Sequence, residues 1–155
     1  MKVLKGPEGS ITLDGRYHPV AIATWDGQAD EASIRKFFEW NAEVVRMAAD
    51  AGGYILITDA TTAKRPPPNS RRLIAELTNA IDESANQLSL ANYVVLTNPL
   101  VRGALTAIQW ISAQPGDITY VDTCDEAIKR SIETLKAAGM PVPEGLNPAA
   151  YQRPA

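Results

Sequence analysis

A chain of 155 residues with 45% hydrophobic and 21% charged side chains is of the right size and make-up for one globular domain with a substantial core. Its net charge of -3 argues against a general nucleic-acid surface, and its single cysteine and single histidine exclude an internal disulfide and a Cys- or His-rich metal centre. The opening MKVLKGPEGS lacks the apolar core of a leader peptide, and no apolar run approaches membrane-spanning length. The expectation is a cytoplasmic protein with no membrane insertion, no nucleic-acid partner and no cofactor.

Residues Met1–Gly9 read as a flexible arm, broken by Gly6, Pro7 and Gly9. Two strand-like runs follow, Ser10–Leu13 and Pro19–Trp25, and Asp14-Gly15-Arg16 between them predicts a hairpin. Asp30 precedes a helical pattern to about Ala51, with Ile34, Phe37, Phe38, Val44, Val45 and Ala48 on one face and Gly52-Gly53 as the stop. The run Tyr54–Thr58, closed by Asp59, is short, apolar and β-branched, which predicts a strand buried on both faces. After a Thr- and Pro-rich loop, Leu73, Leu77, Ile81 and Leu88 give one amphipathic helix starting near Asn69 or Ser70. Asn92–Thr97 is a further buried strand. Asn98-Pro99 then starts a helix, because Asn caps and Pro suits the first helical position. Val101, Ala104, Leu105, Ile108 and Ile111 carry it to Pro115-Gly116. Ile118–Val121 is the last strand, Thr123-Cys124-Asp125-Glu126 has the form of a capping box, and Ile128, Ile132 and Leu135 mark the final helix, ending at Gly139. The Pro-rich residues 140–155 predict a tail that is either disordered or strapped along the surface. The fold class is therefore α/β: a mixed, mostly parallel sheet opened by an antiparallel hairpin, in the order ββαβαβαβα, within one domain over residues 10–139.

This order, with a long loop after the first parallel strand, resembles the STAS family, typified by the bacterial anti-sigma factor antagonists and similar in fold to the lipid-binding CRAL-TRIO domains. In those antagonists a strand with an acidic end leads to Asp-Ser-x-Gly-Leu at a helix start. Here the strand end is Ile57-Thr58-Asp59 and the helix start is Asn69-Ser70-Arg71-Arg72-Leu73, with Asn for Asp, Arg72 for Gly, and Lys64-Arg65-Pro66-Pro67-Pro68 lengthening the loop. The resemblance implies a non-enzymatic protein-interaction domain of a bacterial signalling or assembly system. It also implies that Ser70 stands where the antagonists carry a phosphorylated serine.

The residues themselves point to the same edge. Ligands and partners of open α/β sheets meet the carboxyl ends of the strands. There Thr61, Thr62, Lys64, Arg65, Ser70, Arg71, Arg72 and, from the next crossover, Arg102 predict a docking site for an acidic or phosphorylated partner. Arginines oppose the dipole of a helix start unless they turn away or find an anion. The competing reading is a solvated charged face in which Arg71 or Arg72 pairs with Glu76. Ser70 is open to two readings, phosphosite or plain helix cap. Cys124, among Asp122, Asp125 and Glu126, reads as structural rather than nucleophilic. His18 reads as an edge residue, and Asp59 as an acid bonding nearby loop N–H groups. No phosphate-cradling glycine loop or nucleophile elbow is present, and no set of acid, base and nucleophile is visible, so no catalytic residue is assigned. The alternative function is a small-molecule or lipid carrier whose CRAL-TRIO-like cavity Phe37, Phe38, Trp40 and Trp110 would line. Pairing of two copies through the hairpin edge or an outer helix face stays open.

Overall fold

The first three strands zip together antiparallel. In the computed structural model, which describes residues 1–104 and 118–154, these are β1 (Lys2–Lys5), β2 (Glu8–Tyr17) and β3 (Val20–Gln28). β1 falls in the segment expected to be a loose arm. It pairs from Lys2 opposite Leu13 to Lys5 opposite Ser10, and Leu4 is buried while Val3 and Lys5 point outward. The breakers Gly6 and Pro7 make a turn rather than an arm, closed by the Gly6 N–H donating to the Gly9 carbonyl at 2.9 Å.

Asp14-Gly15-Arg16 is not the hairpin turn either. The register shifts between Asp14 opposite Ile22 and Tyr17 opposite Val20, which makes this segment a bulge, and the chain reverses at His18-Pro19. Asp14 is buried, and its carboxylate accepts from the Arg16 backbone N–H at 3.1 Å and from both arms of the Arg16 guanidinium at 2.9 Å. Those bonds stabilise the bulge in place of an Asp-Gly turn.

Helix α1 (Glu31–Ala51) begins where Asp30 accepts from the Ser33 N–H at 2.9 Å and ends at Gly52, whose φ of 95° suits a residue without a Cβ. The parallel part of the sheet follows: β4 (Tyr54–Ala63), β5 (Ser89–Val95) and β6 (Ile118–Val121). Strand order in the sheet equals strand order in the chain, β1 to β6. β4 runs past Asp59 to Ala63 through a bulge in which Ala60 and Thr61 stand opposite Trp25 alone, after which Asp26 and Gly27 pair with Thr62 and Ala63. Asp59 thus lies inside the strand rather than at its end.

The segment after β4 holds two helices where one was expected, α2 (Pro68–Asn79) and α3 (Glu83–Leu88). The break has a local cause: Asp82 caps α3 by accepting from the Ser84 N–H, which competes with continuing the helix. Residues 99–104 are helical (α4), capped by Asn98 accepting from the Leu100 N–H at 3.0 Å. Leu105, Ile108, Trp110, Ile111, Pro115 and Gly116 lie outside the described residues. Thr123 accepts from the Glu126 N–H at 3.1 Å to cap α5 (Cys124–Ala137).

Side-chain alternation divides the core in two. Val20, Ile22, Ile55, Ile57 and Val95 pack against Ile128 and Leu135 of α5, whereas Ala21, Ala23, Leu56 and Leu13 pack against Phe37, Val44 and Ala48 of α1. Each fully buried Ile or Leu contributes about 2 kcal/mol relative to an exposed one. The C-terminal segment is a strap. Leu146 is buried in the α5-side core, with Met140 and Tyr151 packed beside it.

Candidate functional site

The loop from β4 to α2 is held from within. The Lys64 N–H donates to the Gly27 carbonyl at 2.9 Å, Gln28 donates through its amide to the Arg65 carbonyl at 3.3 Å, and Arg71 donates to the Pro66 carbonyl at 2.9 Å. Arg71 therefore turns back to close the loop rather than facing outward. Arg102 does the same one crossover later: it donates to the Leu96 carbonyl at 3.0 Å and lies over the Tyr120 ring at 4.7 Å. Lys64, Arg65 and Arg72 are exposed and, among the described residues, take part in no ion pair.

Ser70 departs from expectation. It is the third residue of α2 rather than its cap, and at 4% exposure it is buried. It nonetheless lines a groove at the helix start. The groove at this helix start is lined by Glu8, Asp30 and Glu31, so a phosphate placed there would meet carboxylates rather than a basic cradle. No side chain caps α2, and Pro67 and Pro68 supply its first turn.

Thr61 and Thr62 are exposed but occupied by neighbours. Asp59, with 0% exposure, accepts on one oxygen from the Thr61 N–H at 3.0 Å and the Thr61 hydroxyl at 2.6 Å. Its other oxygen accepts from Nε of Arg153 at 2.9 Å, and the same guanidinium donates to the Thr62 hydroxyl at 2.7 Å. Arg153 comes from the end of the strap, 94 positions from Asp59. A buried carboxylate is thus neutralised by the tail.

Cys124 lies in the same neighbourhood. Burial, reinforced by the negative charges of Asp59 and Asp125, pushes its thiol up to about 12, so it stays protonated at neutral pH. Tyr151 is pushed up to about 12 as well, chiefly by burial. Among the described residues no group of three or more His, Cys, Asp and Glu side chains is placed to hold a metal ion. None of the described helices is long and apolar enough to cross a membrane.

On the α1 side of the sheet, a cavity of about 880 Å³ opens between the strands and α1, α2 and α3. Phe37 and Phe38 line it, as expected for a carrier. Trp40 is not among its lining residues and instead packs against Phe37, with ring centroids 6.3 Å apart, while Trp110 lies outside the described residues.

The chain is similar in structure to an anti-sigma factor antagonist. That solved structure, from Mycobacterium paratuberculosis, shares 16% sequence identity with a TM-score of 0.49, and the match covers 82% of this chain and 97% of that one. No family model matches the chain, and no curated protein matches it.

Of the eight residues read from the sequence, Lys64, Arg65 and Arg72 remain outward-facing. Arg71 and Arg102 close their own loops, Thr61 and Thr62 meet Asp59 and the strap, and Ser70 is buried. Sequence reasoning missed Arg153. Nothing in a Pro-rich tail distinguishes an arginine that reaches a distant buried acid from one in solvent.

Proposed function

We propose that this chain is a non-enzymatic protein-interaction domain of a signalling or assembly system, docking an acidic or phosphorylated partner through Lys64, Arg65 and Arg72. One observation carries the reading: three exposed cations without ion-pair partners among the described residues stand on the β4–α2 loop (Lys64, Arg65) and the start of α2 (Arg72), and the loop backbone is fixed by Gly27, Gln28 and Arg71. A loop already fixed loses little freedom when it binds, so more of the charge attraction is realised as affinity. The protein is acidic overall, at -3, so a local basic rim also orients an acidic partner during encounter. Mechanism is differential binding without covalent chemistry, in keeping with a thiol that stays protonated.

The test is the triple charge reversal Lys64→Glu, Arg65→Glu, Arg72→Glu, compared with the native chain in affinity capture from an extract of the source cells. Captured proteins are identified by mass spectrometry at two salt concentrations. The expected result is a captured species that is lost from the variant and weakened by salt. An unchanged set of captured proteins refutes the proposal.

A further inference from the structure

We infer that the cavity between the sheet and helices α1, α2 and α3 binds a neutral, largely apolar small molecule carrying a hydroxyl group. The site lies beside the docking rim and shares with it Lys64, at the cavity mouth. At about 880 Å³ the cavity has the size of those that enclose a drug-sized ligand, and its walls are mainly apolar, among them Phe37, Phe38, Leu56, Leu90, Val94 and Ile118. Of its described lining residues, the ionisable ones are Tyr54, Lys64 and Glu83, and the last two are exposed. Among the described residues the two charged side chains thus stand at the exposed mouth, and a charged group deep inside would be desolvated without a buried counter-ion, which favours an uncharged ligand.

Three polar atoms distinguish this space from a dry void. The indole Nε1 of Trp25 and the side-chain carbonyl oxygens of Asn41 and Asn92 are buried without a hydrogen-bond partner, and all three residues line the cavity. Native proteins leave few such atoms unpaired. Asn41 carries the argument furthest. It is 8% exposed and occupies a position in the buried stripe of α1, Ile34, Phe37, Asn41, Val44, Ala48, where an apolar residue would pack without penalty. An amide kept there is matched to something that donates to it. Trp25 offers a donor from β3, with its ring 5.2 Å from that of Phe37, one helical turn before Asn41. A hydroxyl is the simple neutral group that accepts from an indole N–H and also donates to an amide oxygen.

The experiment uses the full chain and the neutral dye Nile red, displaced by either 1-octanol or its methyl ether, which accepts a hydrogen bond but donates none. The expected result is saturable Nile red binding, with the ratio of ether to alcohol displacement constants falling about tenfold in Asn41→Leu, the worth of one buried hydrogen bond. The same variant, freed of an unpaired amide, should melt higher than the native chain without ligand. Val94→Phe, which fills the cavity from β5, should lose the dye. The inference is overturned if the native chain does not bind Nile red, if a folded Val94→Phe chain binds it equally well, or if Asn41→Leu leaves the ratio unchanged. Should Val94→Phe not fold, the Asn41→Leu ratio decides alone. Capture through the rim and filling of the cavity are separate events, so failure of one leaves the other standing.

Discussion

Replacing Arg153 by Ala removes the counter-charge of a carboxylate with no solvent exposure. Asp59 would keep the Thr61 N–H and hydroxyl on one oxygen and have nothing on the other. Breaking a fully buried pair by deleting one member costs about 3–5 kcal/mol. The Arg153 side chain is 30% exposed, so water reaches the vacated side and the expected loss is about 2–3 kcal/mol. The exposed bond to Thr62 adds little to this. For a chain of this length the loss corresponds to a fall of roughly 5–10 °C in the unfolding midpoint. Urea titration followed by tryptophan fluorescence measures it. Asp59→Asn alone should cost less, because the guanidinium it leaves behind can be hydrated. The double variant should be more stable than the sum of the two single losses implies, by at least about 1 kcal/mol. A loss below about 0.5 kcal/mol for Arg153→Ala, or strict additivity in the cycle, would show that the tail merely rests on the domain.

The remaining expectations concern protons. With its thiol pushed up to about 12, Cys124 should react with iodoacetamide at pH 8 at least about 100-fold more slowly in the folded chain than in urea; equal rates would refute its burial as a neutral thiol. Because the unfolded thiol ionises near 9 while the folded one holds its proton, stability should fall as pH rises above 9, and Cys124→Ala should remove part of that slope. At the acid end, burial raises Asp14, but the hydrogen bonds and charge of Arg16 outweigh it and hold its carboxyl below the ordinary value. A lowered folded pKa means stabilisation that is complete above about pH 4 and lost as pH falls through the folded value. Asp14→Asn should flatten the acid limb of the urea midpoint against pH, and an unaltered limb counts against the Arg16 pairing.

What the sequence made legible was periodicity and capping. The stripe of α1, its Asp30 cap and Gly52 stop, the Thr123 cap and the apolar run of β4 all follow from local chemistry, and the structure has them. Illegible were features in which a local signal is overruled from a distance. Asp14-Gly15 reads as a turn, but pairing with β3 makes it a bulge. Lys2–Lys5 reads as an arm because its one inward residue, Leu4, gives too little alternation to see. Ser70 has the form of an N-cap, but Pro67 takes that place three residues earlier and the serine is buried within the first turn. The rim was legible as composition, since cations cluster in the loop. Which of them face outward depended on carbonyls at Pro66 and Leu96 that no pattern announces.

Each strand of this sheet lies beside its immediate predecessor in the chain. A nascent polypeptide can therefore add strands one at a time as it leaves the ribosome, without waiting for a distant segment to complete an inner position. The exception is Asp59, which is enclosed with β4 but gains its cation only when Arg153, 94 positions later, emerges. Synthesis halted before that residue would yield a sheet holding an unneutralised acid, so the strap completes a charge balance that the strands alone leave open.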